Sequence, residues 1–243
     1  MRIRYRILFL GLVAIAWIAI NLPASLVRHL VDPSAATFVA PSGTVWQGAS
    51  QIISPIGLRG EVQWEITLLR PGVNFALIHQ NSFIQGRFEV GMNNHRISLA
   101  GQVDTATLSP LLTRYDLFVP GTFDLKSTDL TLGPTGLFMT APSELQWSGG
   151  RTRYILANRR YEALMPPLIA IIGARDNGVL EAKIKISAEE TTPLLVLRLR
   201  PNGDVYLGVT RGMLRLANYP WSGNEAESDL IFEVERKLTQ TSP

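Results

Sequence analysis

Residue types that do acid–base, nucleophilic or metal chemistry occur in this chain, but not at the spacings such chemistry needs. There are three histidines, His29, His79 and His95. Between the last two the only acid is Glu89, so a tetrahedral nitrogen and oxygen ligand set lacks its carboxylates. Exposed histidines in polar turns beside strand ends account for them better. The chain has no cysteine, which removes thiolate nucleophiles, disulfides and thiolate metal sites. Neither a G-x-S-x-G elbow nor a phosphate-binding Gly-Lys-Ser/Thr loop occurs. The acidic pairs Glu189/Glu190 and Glu225/Glu227 stand in polar turns, where adjacent charges mark a solvated edge. The expectation is a protein that is not an enzyme, with no catalytic residue, no metal ligand and no cofactor.

Two arginine pairs, Arg151/Arg153 and Arg159/Arg160, fall within ten residues. In an extended run Arg151 and Arg153 share a face and can meet an anionic headgroup or an acidic partner. A solvated face or a blunted sheet edge explains them more simply. The basic pI of about 9.4 looks at first like a nucleic-acid signal. Of the 23 basic residues, however, Arg2, Arg4, Arg6 and Arg28 precede His29, which leaves 19 against 20 acidic ones in the remainder. Nucleic acid thereby loses its electrostatic case.

Those arginines flank residues 7–27, a stretch of 21 residues without a charge. At about 1.5 Å per residue, roughly 20 residues cross a hydrocarbon core of about 30 Å. Pro23 falls near the far end, where a helix break is cheap, and Tyr5 and Trp17 suit the two interfaces. A cleaved signal is the competing reading, but Leu22-Pro23-Ala24 puts a bulky residue where a small one belongs. Arg2, Arg4 and Arg6 orient the N-terminus to the cytoplasm and send the body across the membrane. The expected division is a cytoplasmic tail at 1–6, an anchor at 7–27, a linker at 28–42 and an extracytoplasmic β-rich domain at 43–243.

In the body, period-two patterns dominate. Glu61-Val62-Gln63-Trp64-Glu65-Ile66-Thr67-Leu68 alternates polar and apolar without error, as a half-buried strand does. Similar runs hold Ile84 to Val90, Ile97 to Val103, Leu180 to Ile186, and Val205 to Val209. Between residues 122 and 132 the apolar parity switches, which predicts a bulge at 127–129. Turn signals such as Arg70-Pro71-Gly72, Val119-Pro120-Gly121 and Pro201-Asn202-Gly203 separate the runs and favour antiparallel hairpins. Roughly ten strands are expected in this way. Helical candidates cover 105–115 and 161–173.

Gly-x-apolar-x-apolar opens several strands, and Trp-x-Gly recurs at Trp46 and Gly48, Trp147 and Gly149, and Trp221 and Gly223. A structural role, with Gly permitting a turn and Trp covering a sheet face, is the expectation over ligand contact. The fold class that follows is mainly β: a transmembrane helix, then a large antiparallel sheet with one or two short helices. So few helices cannot cover the apolar face of such a sheet. It must therefore fold into a sandwich or barrel, or curl and leave an apolar groove for acyl chains or a partner's apolar segment.

The order of these features resembles the type II secretion system protein N family. The residues that carry the likeness are the Arg-flanked anchor ending in Leu22-Pro23-Ala24, Gly43-Thr44-Val45-Trp46-Gln47-Gly48, a strand ending at Trp64, Trp147-Ser148-Gly149-Gly150, and Tyr219-Pro220-Trp221-Ser222-Gly223. The resemblance runs over essentially the whole chain. It implies a single-pass protein of the bacterial inner membrane with a periplasmic domain, an accessory part of the machine that exports folded proteins across the outer membrane. Implied partners are other inner-membrane components and the outer-membrane channel. The periplasmic pattern also looks like the AsmA-type β-groove proteins, which handle envelope lipids; those chains are much longer. No functional residue is carried over from either family.

Overall fold

The computed structural model describes residues 13, 17–29, 36–55, 57–68, 70–133, 136–156 and 158–237. Arg2, Arg4, Arg6 and residues 7–12 and 14–16 of the expected anchor lie outside them. Among the described residues no helix is long and apolar enough to cross a membrane.

The body is mainly β. A short 3-10 helix, Ala24–His29, leads into β1 (Thr37–Gly43), β2 (Gln47–Ile53), β3 (Arg59–Thr67), β4 (Gly72–His79), β5 (Ser82–Val90) and β6 (His95–Asp104). A single helical turn, α1 (Ser109–Leu112), precedes β7 (Leu117–Phe118), β8 (Thr122–Gly133), β9 (Gly136–Met139), β10 (Ser143–Trp147), β11 (Gly150–Leu156) and β12 (Arg159–Met165). Then come β13 (Leu168–Ala174), β14 (Leu180–Lys185), β15 (Leu195–Leu199), β16 (Asp204–Thr210), the helix α2 (Arg211–Leu216) and β17 (Leu230–Lys237). Fourteen strands make one antiparallel sheet in the order β1-β2-β3-β4-β5-β6-β8-β10-β13-β14-β15-β16-β17, with β9 beside β8. β12, β11 and β7 form a separate small sheet. In the large sheet β1 and β17 are the terminal strands, so among the described residues it stays open.

Register puts the apolar residues of successive strands in line. One row runs Val62, Leu77, Ile84, Gly101, Leu125, Leu145, Ala170, Ile184, Leu195, Val209 and Phe232. The neighbouring positions carry Glu61, Gln63, Gln85, Gln102, Asp124 and Glu144, so the opposite face is largely polar. The predicted parity switch in β8 is a bulge. Leu99 faces Thr128 and Gly101 faces Leu125, so Lys126 and Ser127 together oppose Ala100, and Leu130 returns to the apolar side.

Three sequence expectations are corrected. The run at 161–173 is not a helix; it is the end of β12 and most of β13, joined at Pro166-Pro167. Two consecutive prolines remove two backbone donors and push the preceding residue out of the helical region. In β12, Ala163 and Met165 are buried while Glu162 and Leu164 are exposed, and the apolar Leu164, 75% exposed, conceals that alternation. The strands number seventeen among the described residues, against roughly ten expected, because short strands such as β7 carry too few residues to show a period. Residues 37–42, read as linker, form most of β1 and pair with β2.

The small sheet is a bent continuation of the large one. β7 passes into β8 at Val119-Pro120-Gly121, β10 into β11 at Ser148-Gly149, and β12 into β13 at Pro166-Pro167. The strand order β7, β11, β12 matches β8, β10, β13, so three neighbouring strands turn a common corner at a line of Pro and Gly. Gly149 adopts φ +78, and a Cβ there would stand 2.7 Å from the Pro167 nitrogen. Folded over in this way, the flap packs Ala163 and Met165 against Trp147, Leu168 and Leu194, with Met213 and Leu216 of α2 beside them. This is the core.

Candidate functional site

The β1–β2 turn, Gly43 to Gly48, grips the end of the N-terminal apolar segment. The Trp46 indole N–H donates to the Ala19 carbonyl at 2.7 Å, and the Val45 amide to that of Leu22 at 2.9 Å. Pro23 forms a β-bridge with Thr44, and Ala24 beside it is 1% exposed. The turn itself is closed by Thr44, whose amide donates to the Gln47 carbonyl at 2.8 Å and whose hydroxyl accepts from the Gln47 amide at 3.1 Å. Gly48 is required by close approach: a Cβ there would lie 2.6 Å from Cζ2 of Trp64. Trp64, buried on β3, donates from Nε1 to the Val45 carbonyl at 3.0 Å and meets Phe38 edge-on. Gly43, Thr44, Trp46, Gly48 and Trp64 thus form one clamp. Trp17, Ile18 and Ile20, on the helical turn it holds, remain exposed.

The second feature is the apolar face of the large sheet. At the end remote from the clamp, the flap and α2 cover Phe123, Trp147, Leu168 and Ile184. Trp147 is fixed there by a 2.8 Å bond from Nε1 to the Pro120 carbonyl and by stacking on Phe123. Gly149 and Gly150 supply the corner just described. Toward the clamp no second layer lies over the face among the described residues, and Phe75, Leu77, Ile84, Phe88, Ile97 and Leu99 are half-buried, shielded chiefly by one another. Phe75 covers Gly86, where a Cβ would fall 2.6 Å from its ring.

The polar face carries its own fixed charges. Glu181, 6% exposed, receives Arg198 and Arg175 at 2.8 Å each, with Lys183 at 3.5 Å. Burial pushes its carboxyl up, but the hydrogen bonds from Arg198 and Arg175 and the charges of Arg175 and Lys183 outweigh that, so its pKa is lowered. A shallow concavity of about 670 Å³ lies over Ala49, Gln63, Ala76, Gln85 and Ala100, where small side chains alternate with glutamines.

Other singled-out residues are dispersed. Trp221 donates to Glu225 at 2.8 Å and meets Phe232 edge-on, with Gly223 against its indole, near the β17 edge. The hydrogen bond from Trp221 lowers the Glu225 pKa. Arg151 pairs with Glu162 at 2.6 Å and Arg153 lies over the Phe118 ring at 4.4 Å. His95 departs from the exposed turn expected of it: as the first residue of β6 it is half-buried and stacked on Phe88. His79 ends β4 and is also half-buried. Among the described residues no three His, Cys, Asp or Glu side chains converge on a point able to hold a metal ion.

Sequence reasoning missed Glu181, whose basic partners Arg175, Lys183 and Arg198 lie just past β13, on β14 itself and on the adjacent β15, and the flap, whose signals are the three Pro/Gly pairs. No protein-family model, curated protein or solved structure matches the chain. The resemblance to the type II secretion protein N family therefore rests on the order of the residues quoted above.

Proposed function

We propose that this chain is a membrane-tethered, non-enzymatic component of the type II secretion assembly. It is anchored in the bacterial inner membrane by its N-terminal segment, with its β domain in the periplasm, where it binds other inner-membrane components and the outer-membrane channel. The observation that carries this reading is the clamp. Hydrogen bonds from Val45 and Trp46 fasten the end of the apolar segment to the sheet, so an anchor would hold the domain in a fixed pose suited to assembly. The order of sequence features supplies the family, and Arg2, Arg4 and Arg6 supply the orientation. Extraction in mild detergent should bring down the secretion platform with the full chain. A clean purification with none of those components would overturn the assignment.

A second reading, an AsmA-like groove that handles lipid, is favoured by one observation: among the described residues the apolar face is uncovered toward the clamp and closed toward the flap. Such a surface suits acyl chains more than water. Native mass spectrometry of the full chain released from detergent should then show bound phospholipid, and a lipid-free spectrum would remove this reading.

A further inference from the structure

The strands meander, so alternate hairpins fall on one edge of the sheet, and that edge is the one the clamp occupies. Register places Gly43 against Gly48, Thr67 against Gly72, Val90 against His95, and Gly133 against Gly136 along a single line. Adjacent tips are tied together, with the Val90 amide donating to the Pro71 carbonyl at 3.0 Å. From β1 to β9 this rim spans eight strands, roughly 33 Å at the usual spacing.

The rim is unusually apolar for hairpin tips, which ordinarily carry polar turn residues. Met92 is fully exposed and Leu68 is 71% exposed, while Val90, Leu132 and Phe138 are also exposed. Met92 sits in the β5–β6 turn Gly91-Met92-Asn93-Asn94, where nothing in the fold requires a large apolar side chain. The β4–β5 hairpin at the opposite edge has Gln80 and Asn81.

We infer that this rim is a second membrane contact, resting on the bilayer that receives the anchor and inserting Leu68, Val90, Met92, Leu132 and Phe138 into its headgroup and upper acyl region. The occupant is a phospholipid surface because the rim is continuous with the clamp, and the clamp holds Trp17, Ile18 and Ile20 exposed on the same edge. Arg70 and Arg96 flank the apolar tips, as cations do in interfacial segments facing anionic headgroups. Val90 and Leu132 also belong to the apolar face, so its uncovered part would open directly onto the bilayer. The inference rests on the anchor reading above and goes beyond it by fixing the pose of the sheet.

The cysteine-free chain permits a direct test. Met92→Cys, Leu68→Cys, Asn81→Cys and Ile18→Cys are each labelled with an environment-sensitive dye, in the full chain reconstituted into nanodiscs of phosphatidylethanolamine and phosphatidylglycerol. Blue-shifted emission is expected at 92, 68 and 18 but not at 81, and at 92 and 68 it should be quenched by lipids spin-labelled near the headgroup. Aqueous emission at 92 and 68 with blue-shifted emission at 18 would overturn the rim contact and leave the anchor standing. Aqueous emission at all four positions would overturn both.

Discussion

Trp46 contributes a ring and a single N–H, and the two are separable. Trp46→Phe keeps most of the packing in the clamp and removes the donor to the Ala19 carbonyl. A net loss of about 1–2 kcal/mol from that local contact corresponds to a roughly 5–30-fold change in its opening equilibrium. Amide exchange at Val45, which donates to Leu22 beside it, should accelerate by that factor while strands beneath the flap are unchanged. Glu181 makes the opposite kind of contribution, buried and charge-based. Its pKa is lowered in the folded state, so its stabilisation is full above the unfolded value of about 4.3 and is lost as pH falls through the folded value. Its arginines are half in solvent, so screening limits Glu181→Gln to a cost of about 1–3 kcal/mol at neutral pH. Urea unfolding should show the gap between wild type and variant closing as the solution is acidified below pH 4.3.

At the scale of elements, the corner between the two sheets depends on backbone that only glycine adopts cheaply. Gly149→Ala meets both a left-handed φ and the Pro166-Pro167 backbone at 2.7 Å, which should cost about 2 kcal/mol or more. Gly203→Ala has a similar φ of +84 with nothing within 4 Å, so its cost should stay near 1 kcal/mol. Comparing the two denaturation midpoints separates close approach from φ alone. Strands such as β3 were legible because each side chain obeys one face. β12 and β13 were not, because exposed Leu164 and the isoleucines on both faces of β13 blur the alternation into one apolar run. The Pro/Gly pairs of the corner were each visible as turns, but their alignment depends on pairing register, which sequence spacing does not contain. The clamp was half legible: Gly43 to Gly48 reads as a strand-flanked turn, whereas its bond to Ala19, 27 residues away, does not. Glu181 was hidden because a carboxylate on the polar face looks solvated until arginine stems from neighbouring strands cover it.

At the scale of the whole molecule, the described residues hold more apolar sheet than the flap and α2 cover, and this separates residues that hold the fold from residues available to an occupant. Leu168 lies beneath the flap at 7% exposure, packed with Trp147, Ala163 and Met165. Leu168→Asp would bury an unpaired carboxylate in the core and should cost more than about 4 kcal/mol. Leu99 occupies the same face toward the clamp, half-buried beside Phe75 and Gly86, with no layer over it among the described residues. A carboxylate there can remain hydrated, so Leu99→Asp should cost only about 1–2 kcal/mol and leave the fold intact. On the lipid reading the same substitution places a charge where an acyl chain would lie, so phospholipid should disappear from the native mass spectrum of the Leu99→Asp protein. If Leu99→Asp proves as damaging as Leu168→Asp, the face is covered in solution and the groove has no room for lipid. Retained fold with retained lipid would place the lipid elsewhere on the molecule. The pair of variants therefore tests openness by stability and occupancy by mass, two measurements that a closed core would move together and an open face moves apart.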